Sequence, residues 1–291
     1  MNKVIETTID DVMLGELFSE SIHLNDEENI TFVSELPEIL FITSYPPREC
    51  GIATYSQDLF TSLNKIFSNS FSLKVCALET GISNHTYPEE VKHILDTTDS
   101  PKYAELAHTI NIDKSIRFVI VQHEFGFFQN GSEDDFLQFL YTLIKPVIIV
   151  FHTVLPHPNE ALRLKVRNIV AASESVVVMT KNAAHILTDD YGVQEEKIEV
   201  IAHGTHLVQH LNKDSLKAKH DMAGRKVLST FGLLSSGKGI ETTLNSLPEI
   251  IKTNPEVAFL VIGKTHPGVI KSEGEKYRNM LEARVEELNL G

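Results

Sequence analysis

The 291-residue chain contains 42% hydrophobic and 23% charged residues, a composition typical of globular proteins and not of disordered ones. Its length is a soft indication of two domains of about 150 residues each. The formal net charge of −14 argues against a nucleic-acid-binding surface, because neutralising a phosphate backbone requires clustered Lys and Arg. An anionic ligand can still bind in a local pocket built from backbone N–H groups and a few cations.

The sequence gives no indication of secretion or of membrane insertion. It contains no apolar stretch of about 18 residues, so we predict no transmembrane segment, while peripheral membrane contact stays open. The first twenty residues carry acids where a secretory signal needs a basic start. Cys50 and Cys76 make no disulfide framework. We therefore expect a cytoplasmic protein.

In chain order, residues 1–36 carry many carboxylates and a single basic residue, Lys3, which predicts a peripheral acidic tail with one short helix. From Pro37 onward, short β-branched runs predict strands. These runs are continuous in apolar residues, as in strands buried on both faces. They lie at residues 38–44, 73–78, 116–123, 146–152, 175–180 and 197–204.

Helical patterns separate these strands, at residues 52–67, 132–145, 159–173 and 181–192. Alternation of strands and helices favours an α/β fold with a parallel, Rossmann-like sheet over residues 37–207. The polar segment 208–224 is predicted to be a linker. Residues 225–291 predict a strand, a helix, a strand and a last helix, and this unit either extends the first sheet or begins a second domain.

In an open parallel sheet, ligands bind beyond the carboxyl ends of the strands, so the candidate residues are those that follow strands. Gly51 stands where a helix begins, after a loop that contains Arg48. The free N–H groups at the start of that helix favour an anion, although an ordinary strand–helix turn is the alternative. His123 ends one strand and His152 follows the next one along the chain. Both are candidates for substrate contacts, whereas a structural hydrogen bond is the plain alternative for His123.

A glycine-rich loop follows the strand at 226–232, in the stretch 231-FGLLSSGKGIET-242. Gly232, Gly237 and Lys238 almost complete the P-loop pattern G-x-x-x-x-G-K-[ST], but Gly239 replaces the hydroxyl residue that binds Mg²⁺. The next strand also lacks a terminal Asp. The loop is therefore predicted to bind a diphosphate, with an exposed, solvated Lys238 as the alternative.

The sequence predicts no metal site. The pair His203 and His206 is the nearest approach to one, but no third ligand stands at a suitable spacing. A role in the loop is the preferred interpretation for both residues.

Four stretches together resemble retaining glycosyltransferases of family 4, the group-1 type with the GT-B fold. They are 44-SYPPRECGIATYSQDL-59, 120-IVQHEFGFF-128, 150-VFHTVLPHP-158 and 231-FGLLSSGKGIE-241. The continuation 262-IGKTHPGVIKSEGEKYRNML-281 resembles the mannosyltransferase-like branch of that family. The likeness runs from about Pro37 to Gly291.

The resemblance implies two facing Rossmann-like domains, one on the acceptor side (residues 37–207) and one that binds a nucleotide-diphosphate sugar (225–291). It implies a hexosyl transfer, with mannosyl suggested by the branch, to a carbohydrate or lipid-linked acceptor in polysaccharide biosynthesis. No cofactor or metal is implied beyond the donor sugar nucleotide. His123 then contacts the donor sugar near the reacting carbon, and Lys238 neutralises the departing diphosphate.

The remaining site residues follow from the same likeness. Gly51 matches the family's glycine loop near the donor phosphates, and Gly232, Gly237 and Gly239 belong to the diphosphate loop. Arg48 and His152 are assigned to substrate binding.

Two departures from the family pattern limit this prediction. Leu233 stands where many relatives have Arg, and the family's acidic E-x7-E segment falls beyond Gly291. We therefore expect a C-terminally truncated donor domain and no transfer by this chain alone. The alternatives are a non-catalytic nucleotide-sugar-binding fragment and a GT-B epimerase or phosphorylase.

Overall fold

The computed structural model describes residues 36–67, 70–81, 85–128, 132–205 and 208–291. The predicted acidic tail, apart from Leu36, lies outside this part of the chain. Residues Pro37–Gly291 form one compact unit. No helix in the described ranges is long and apolar enough to cross a membrane.

The strands of this unit are β1 (Glu38–Thr43), β2 (Ser72–Glu79), β3 (Val91–Asp96), β4 (Ile116–His123), β5 (Val147–Phe151), β6 (Ser175–Val178), β7 (Ile198–Val200), β8 (Lys226–Phe231) and β9 (Val257–Ile262). Its helices are α1 (Gly51–Phe67), α2 (Ser100–Ile112), α3 (Ser132–Thr142), α4 (Glu160–Ala171), α5 (Lys181–Asp189), α6 (Lys213–Lys219), α7 (Ile240–Thr253), α8 (Pro267–Glu273) and α9 (Lys276–Glu287). The alternation of strands and helices confirms the predicted α/β class.

The first seven strands form one parallel sheet in the order β3-β2-β1-β4-β5-β6-β7. The chain runs outward from β1 to β3 and then crosses back to β4, which pairs with the other edge of β1. This reversal makes the gap between β1 and β4 the topological switch point, where ligands of open α/β sheets bind.

The two faces of this sheet pack against different helices. On β1, Leu40 and Ile42 join the core that contains the buried residues of α2, α3, α4 and α5. Ile39 and Phe41 point the opposite way, into a smaller core with Phe60 of α1. Strand alternation therefore buries β1 completely, as its continuous apolar sequence predicted.

Strands β8 and β9 form a separate two-stranded parallel sheet. The alternative that they extend the first sheet is therefore wrong. Its core is small and includes Leu244 and Leu247 of α7 and Tyr277 and Leu281 of α9. Other residues of the sheet are solvent-exposed, among them Phe231, whose exposed fraction is 81%.

The sequence missed β3 and α2 and predicted no helix in the linker, where α6 lies. Strand β3 is an edge strand that pairs only with β2, and its burial alternates along the chain. A search for continuous apolar runs cannot detect such a strand, because one of its faces stays partly solvated.

Candidate functional site at the carboxyl edges of the sheets

The switch point collects polar side chains at the ends of β1 and β4. Ile42 pairs with Val121, so the residues that follow them, Thr43 and Gln122, lie side by side at this edge. Thr43 Oγ1 and Ser56 Oγ are 2.7 Å apart, which joins the end of β1 to the second turn of α1. The strand end and the helix that follows it are thereby held together around the crevice.

Several buried polar atoms at this edge have no hydrogen-bond partner. In the described part of the chain, four buried side-chain atoms are unpaired, and three of them lie here: Ser44 Oγ, Gln122 Nε2 and His123 Nδ1. A buried polar group without a partner costs about 1–3 kcal/mol. Their concentration at the switch point is therefore the strongest structural indication of a ligand site.

His152 lies across the crevice from β4 and is bound to Gln122. Its Nε2 is 2.7 Å from Gln122 Oε1, and because an amide oxygen only accepts, Nε2 carries the proton and donates it. Burial, with a smaller electrostatic contribution from His203, lowers the pKa of His152 to about 4. The imidazole is thus neutral at pH 7, with Nδ1 as a hydrogen-bond acceptor.

Tyr55 of α1 completes this polar group and was not identified from the sequence. Its ring centroid is 5.1 Å from that of His152 and 4.7 Å from that of His203. The sequence predicted a loop role for both His203 and His206, and His206 lies outside the described residues. Tyr55 stands four residues after Gly51, one helical turn into α1, and that spacing was the only available signal.

His123 lies on the other face of the sheet from Gln122, among aromatic side chains. Its ring centroid is 5.0–5.8 Å from the rings of four phenylalanines, Phe125, Phe128, Phe136 and Phe151. Burial, with smaller contributions from the nearby His152 and Lys165, lowers the pKa of His123 to about 3. The residue is therefore a neutral imidazole, 2% exposed, with one unpaired nitrogen.

A shallow depression, with room for about one water molecule, opens beside His123. Phe125, Phe128 and Phe136 line it, and its charged residues are Lys165 and Glu133, whose Nζ and Oε2 atoms are 2.8 Å apart. His123 and His152 therefore do not face one common crevice. A backbone hydrogen bond of 3.0 Å from His152 N to His123 O still holds the two residues side by side.

Arg48, in the loop after β1, is bound to neighbouring residues, whereas Gly51, at the start of α1, faces open space. Arg48 Nη1 donates to the carbonyl oxygen of Leu78 at 2.7 Å, and its guanidinium carbon lies 5.5 Å from the centre of the Phe127 ring. These contacts anchor Arg48 to the end of β2. Gly51 is the first residue of α1, and a Cβ atom added there meets nothing within 4 Å, so the space before this helix is open.

The glycine-rich loop after β8 differs in conformation from a P-loop. Residues Ser236–Lys238 form a single 3-10 turn, and Gly239 follows it with φ +59° before α7 begins at Ile240. A Ser or Thr in this left-handed conformation is strained. The glycine is therefore required by the backbone, and the missing hydroxyl is not a defect of an NTPase loop.

Lys238 is exposed at the end of this loop and has no ion-pair partner among the described residues. Gly232 and Gly237 precede it, and Gly232 (φ +124°) packs closely against Gly263. A Cβ atom on Gly263 would lie 1.9 Å from the carbonyl oxygen of Gly232. The ends of β8 and β9 are therefore tightly apposed, with Lys238 projecting into solvent.

Within the described ranges, no group of three or more His, Cys, Asp or Glu side chains is arranged to hold a metal ion. The site thus consists of two parts. One is the buried polar cluster at the switch point, and the other is the exposed cation on the glycine loop after β8.

Comparisons with known proteins find a similar fold over most of the chain and a similar sequence over a short stretch only. No family model matches the chain. Over 109 residues it is 27% identical to D-inositol 3-phosphate glycosyltransferase of Segniliparus rotundus, a match that covers 36% of this chain and 24% of that protein.

Solved structures match over most of the chain. HepE from Anabaena, determined with UDP and glucose, superposes with a TM-score of 0.60 at 16% identity, covering 87% of this chain and 66% of HepE. A glycosyltransferase from Rickettsia africae gives 0.58 at 15% identity, covering 88% and 66%. The UDP-forming α,α-trehalose-phosphate synthase from Burkholderia vietnamiensis gives 0.54 at 13% identity, covering 88% and 69%.

The chain therefore has the α/β fold of GT-B glycosyltransferase structures, with a parallel seven-stranded sheet. It spans about a quarter of its curated relative and about two thirds of the solved structures. Its sequence and fold both resemble those of glycosyltransferases.

Proposed function

We propose that the protein is a retaining glycosyltransferase that uses a nucleotide-diphosphate sugar. The observation that carries this proposal is the presence of unpaired buried atoms at the carboxyl edge of the first sheet: Ser44 Oγ, Gln122 Nε2 on the face of α1, and His123 Nδ1 on the opposite face. Sugar hydroxyls both donate and accept hydrogen bonds, so a hexose can supply a partner to Gln122 Nε2 or to His123 Nδ1. HepE, which shares the fold, was determined with UDP and glucose.

The glycine loop after β8 supplies the second half of the proposed donor site. Lys238 forms no ion pair with any residue that the structure describes, so its ammonium group is available for the diphosphate. Negative charge grows on the leaving diphosphate as the glycosidic bond breaks, and a fixed cation stabilises this transition state more than the ground state. Gly232, Gly237 and Gly239 carry no side chains, so that at these positions the diphosphate can approach the backbone of the loop.

The roles of the histidines follow from their neutrality. His123 is assigned to the donor sugar, because an uncharged imidazole with an unpaired nitrogen can bind a hydroxyl near the reacting carbon. His152, held by Gln122, is assigned to substrate through its acceptor nitrogen Nδ1. Arg48 is assigned to the same crevice through the loop that it anchors to β2, and Gly51 to the donor phosphates.

The more specific parts of the proposal rest on the resemblance of the sequence motifs to those of family 4 glycosyltransferases. They are a hexosyl unit, with mannosyl favoured, a carbohydrate or lipid-linked acceptor, membership of family 4, and a division into an acceptor-side domain (37–207) and a nucleotide-sugar domain (225–291). The separation of β8 and β9 from the seven-stranded sheet supports the division.

The proposal is tested by incubating the protein with sugar-labelled UDP-glucose and GDP-mannose, with and without acceptor sugars, and separating the products. A transferase releases the nucleoside diphosphate and labels an acceptor with retained anomeric configuration. An epimerised nucleotide sugar indicates an epimerase, and a sugar phosphate formed only with inorganic phosphate indicates a phosphorylase. Binding without turnover agrees with the expectation that this chain alone transfers no sugar, and it leaves the non-catalytic binding module as the alternative. The absence of both turnover and nucleotide-sugar binding contradicts the proposal.

The His123→Ala variant separates the sugar site from the rest. In a preparation that shows turnover, we expect His123→Ala to lower the turnover and to leave donor affinity nearly unchanged, because the residue is assigned to the sugar near the reacting carbon and not to the diphosphate. His157→Ala is the matched control, since the His157 side chain is 92% exposed and lies outside the site. Unaltered turnover in His123→Ala removes His123 from the reaction.

A further inference from the structure

We propose that Lys264 is a second cation for the diphosphate, and that Glu49 occupies this cation when no nucleotide is bound. The inference rests on the proposed function and adds a residue and a competing internal anion to its donor site. Lys264 Nζ lies 2.5 Å from Glu49 Oε1. This ion pair joins the loop that follows β9 to the loop that follows β1.

The backbone fixes Lys264 against the glycine-rich loop that carries Lys238. Leu234 N donates to Lys264 O at 2.8 Å, and His266 N donates back to Leu234 O at 3.0 Å. Leu234 and Thr265 also form a parallel bridge. Both lysines therefore belong to one connected carboxyl edge of the β8–β9 sheet.

Glu49 stands at the corresponding edge of the first sheet. It is two residues before Gly51, where α1 begins and where the structure leaves open space. Its carboxylate is thus a negative charge directed at a cation of the second sheet. A nucleoside diphosphate between the two edges presents the same kind of group, in the form of phosphate oxygens, to the same ammonium.

The pair is weak enough to exchange its anion. The side chains of Lys264 and Glu49 are 59% and 54% exposed, and exposed ion pairs contribute little to stability. A diphosphate carries more negative charge than one carboxylate, so it competes well for Lys264. Glu49 then lowers nucleotide affinity and neutralises Lys264 in the protein without nucleotide.

The competing explanation is that the ion pair holds the two loops together, and it predicts the opposite change in nucleotide affinity. If Glu49 competes with the ligand, its neutralisation strengthens nucleotide binding. If the ion pair holds the site in its binding-competent form, the same change weakens binding.

The test is calorimetric titration at low ionic strength with UDP, GDP and inorganic pyrophosphate. The variants are Glu49→Gln, Lys264→Gln and the double variant, with circular dichroism to establish that each is folded. The control is the pair Lys226 and Glu256, whose Nζ and Oε1 atoms are 2.6 Å apart at the amino ends of the same two strands. Lys226→Gln and Glu256→Gln remove an equivalent pair from the far edge.

We expect Glu49→Gln to tighten binding about two- to fivefold and Lys264→Gln to weaken it about tenfold, with no change in the control variants. The double variant is expected to match Lys264→Gln, because Glu49 acts only through Lys264. Weaker binding in Glu49→Gln, or wild-type affinity in Lys264→Gln, overturns the inference and leaves the proposed function standing. If neither the wild type nor Glu49→Gln binds any of the three probes, the proposed donor site is overturned together with the inference.

Discussion

The carboxyl edges of the two sheets differ in the burial and in the charge of their polar side chains. At the first edge, Gln122 and His123 are almost fully buried, their neighbours are packed closely around them, and burial keeps His123 uncharged. At the second edge, Lys238 is exposed and the glycines around it expose the backbone. In the proposed function, neutral sugar hydroxyls therefore belong to the first edge and the solvated diphosphate to the second.

The two regions should therefore respond differently to mutation, and the largest contrast is expected between two phenylalanines. Phe136 is 2% exposed, and its ring centroid lies 3.9 Å from that of Phe128 in a stacked pair. Phe136→Ala should lower the free energy of unfolding by about 3–5 kcal/mol, because it leaves a cavity in the core.

Phe231, at the end of β8, is the control for this substitution, since it is 81% exposed. Phe231→Ala should change the free energy of unfolding by less than about 0.5 kcal/mol. Urea denaturation followed by circular dichroism measures both variants. Equal losses would show that the second sheet is packed as tightly as the first.

The second contrast concerns pH, because His123 has a folded-state pKa of about 3. The unfolded chain binds a proton near pH 6.5 and the folded protein does not, so stability is complete above that pH and is lost as the pH falls towards 3. Between pH 7.5 and pH 5, His123 alone should cost about 2 kcal/mol. The measurement is the free energy of unfolding at both pH values.

His123→Phe removes the titrating group from the aromatic cage and should reduce this pH dependence, leaving the contribution of His152, whatever its effect on absolute stability. His157→Phe is the control, because the His157 side chain is 92% exposed and should leave the wild-type slope unchanged. A wild-type slope in His123→Phe would mean that His123 is protonated in the folded protein.

The smallest effect is expected in the glycine loop. Gly239→Ser completes the P-loop pattern but puts a side chain on a backbone with φ +59°, which should cost about 1–2 kcal/mol of unfolding free energy. Gly237→Ser tests the same loop at a position whose added Cβ lies 4.0 Å from Ser235 Oγ, an ordinary contact. A Gly239→Ser protein as stable as Gly237→Ser would contradict the left-handed conformation.

The sequence predicted the central strands well because they are buried on both faces and are therefore apolar throughout. It also predicted β8 and β9 from their short apolar runs and α7 from its helical pattern, although neither strand is buried on both faces. Strand β3 escaped prediction because an edge strand keeps polar residues on its partly solvated face. The orientation of the strand-end side chains was also beyond the sequence pattern.

His123 illustrates that limit. The sequence placed it at the end of β4, and the structure agrees, but strand alternation sends its ring towards α3 and α4 and the neighbouring Gln122 to the other face. Tyr55 and Lys264 were missed for a different reason. Their relevance comes from contacts with residues that are distant in the chain, His152 and Glu49, and these contacts exist only in the folded protein.

The most direct test of the account is the affinity of UDP and GDP for the wild type and for Lys238→Ala, with Lys226→Ala as the control at the opposite end of β8. The account predicts nucleotide binding by the wild type, a loss of at least about tenfold in Lys238→Ala, and no change in Lys226→Ala. Wild-type affinity in Lys238→Ala would contradict the assignment of the glycine-rich loop to the diphosphate.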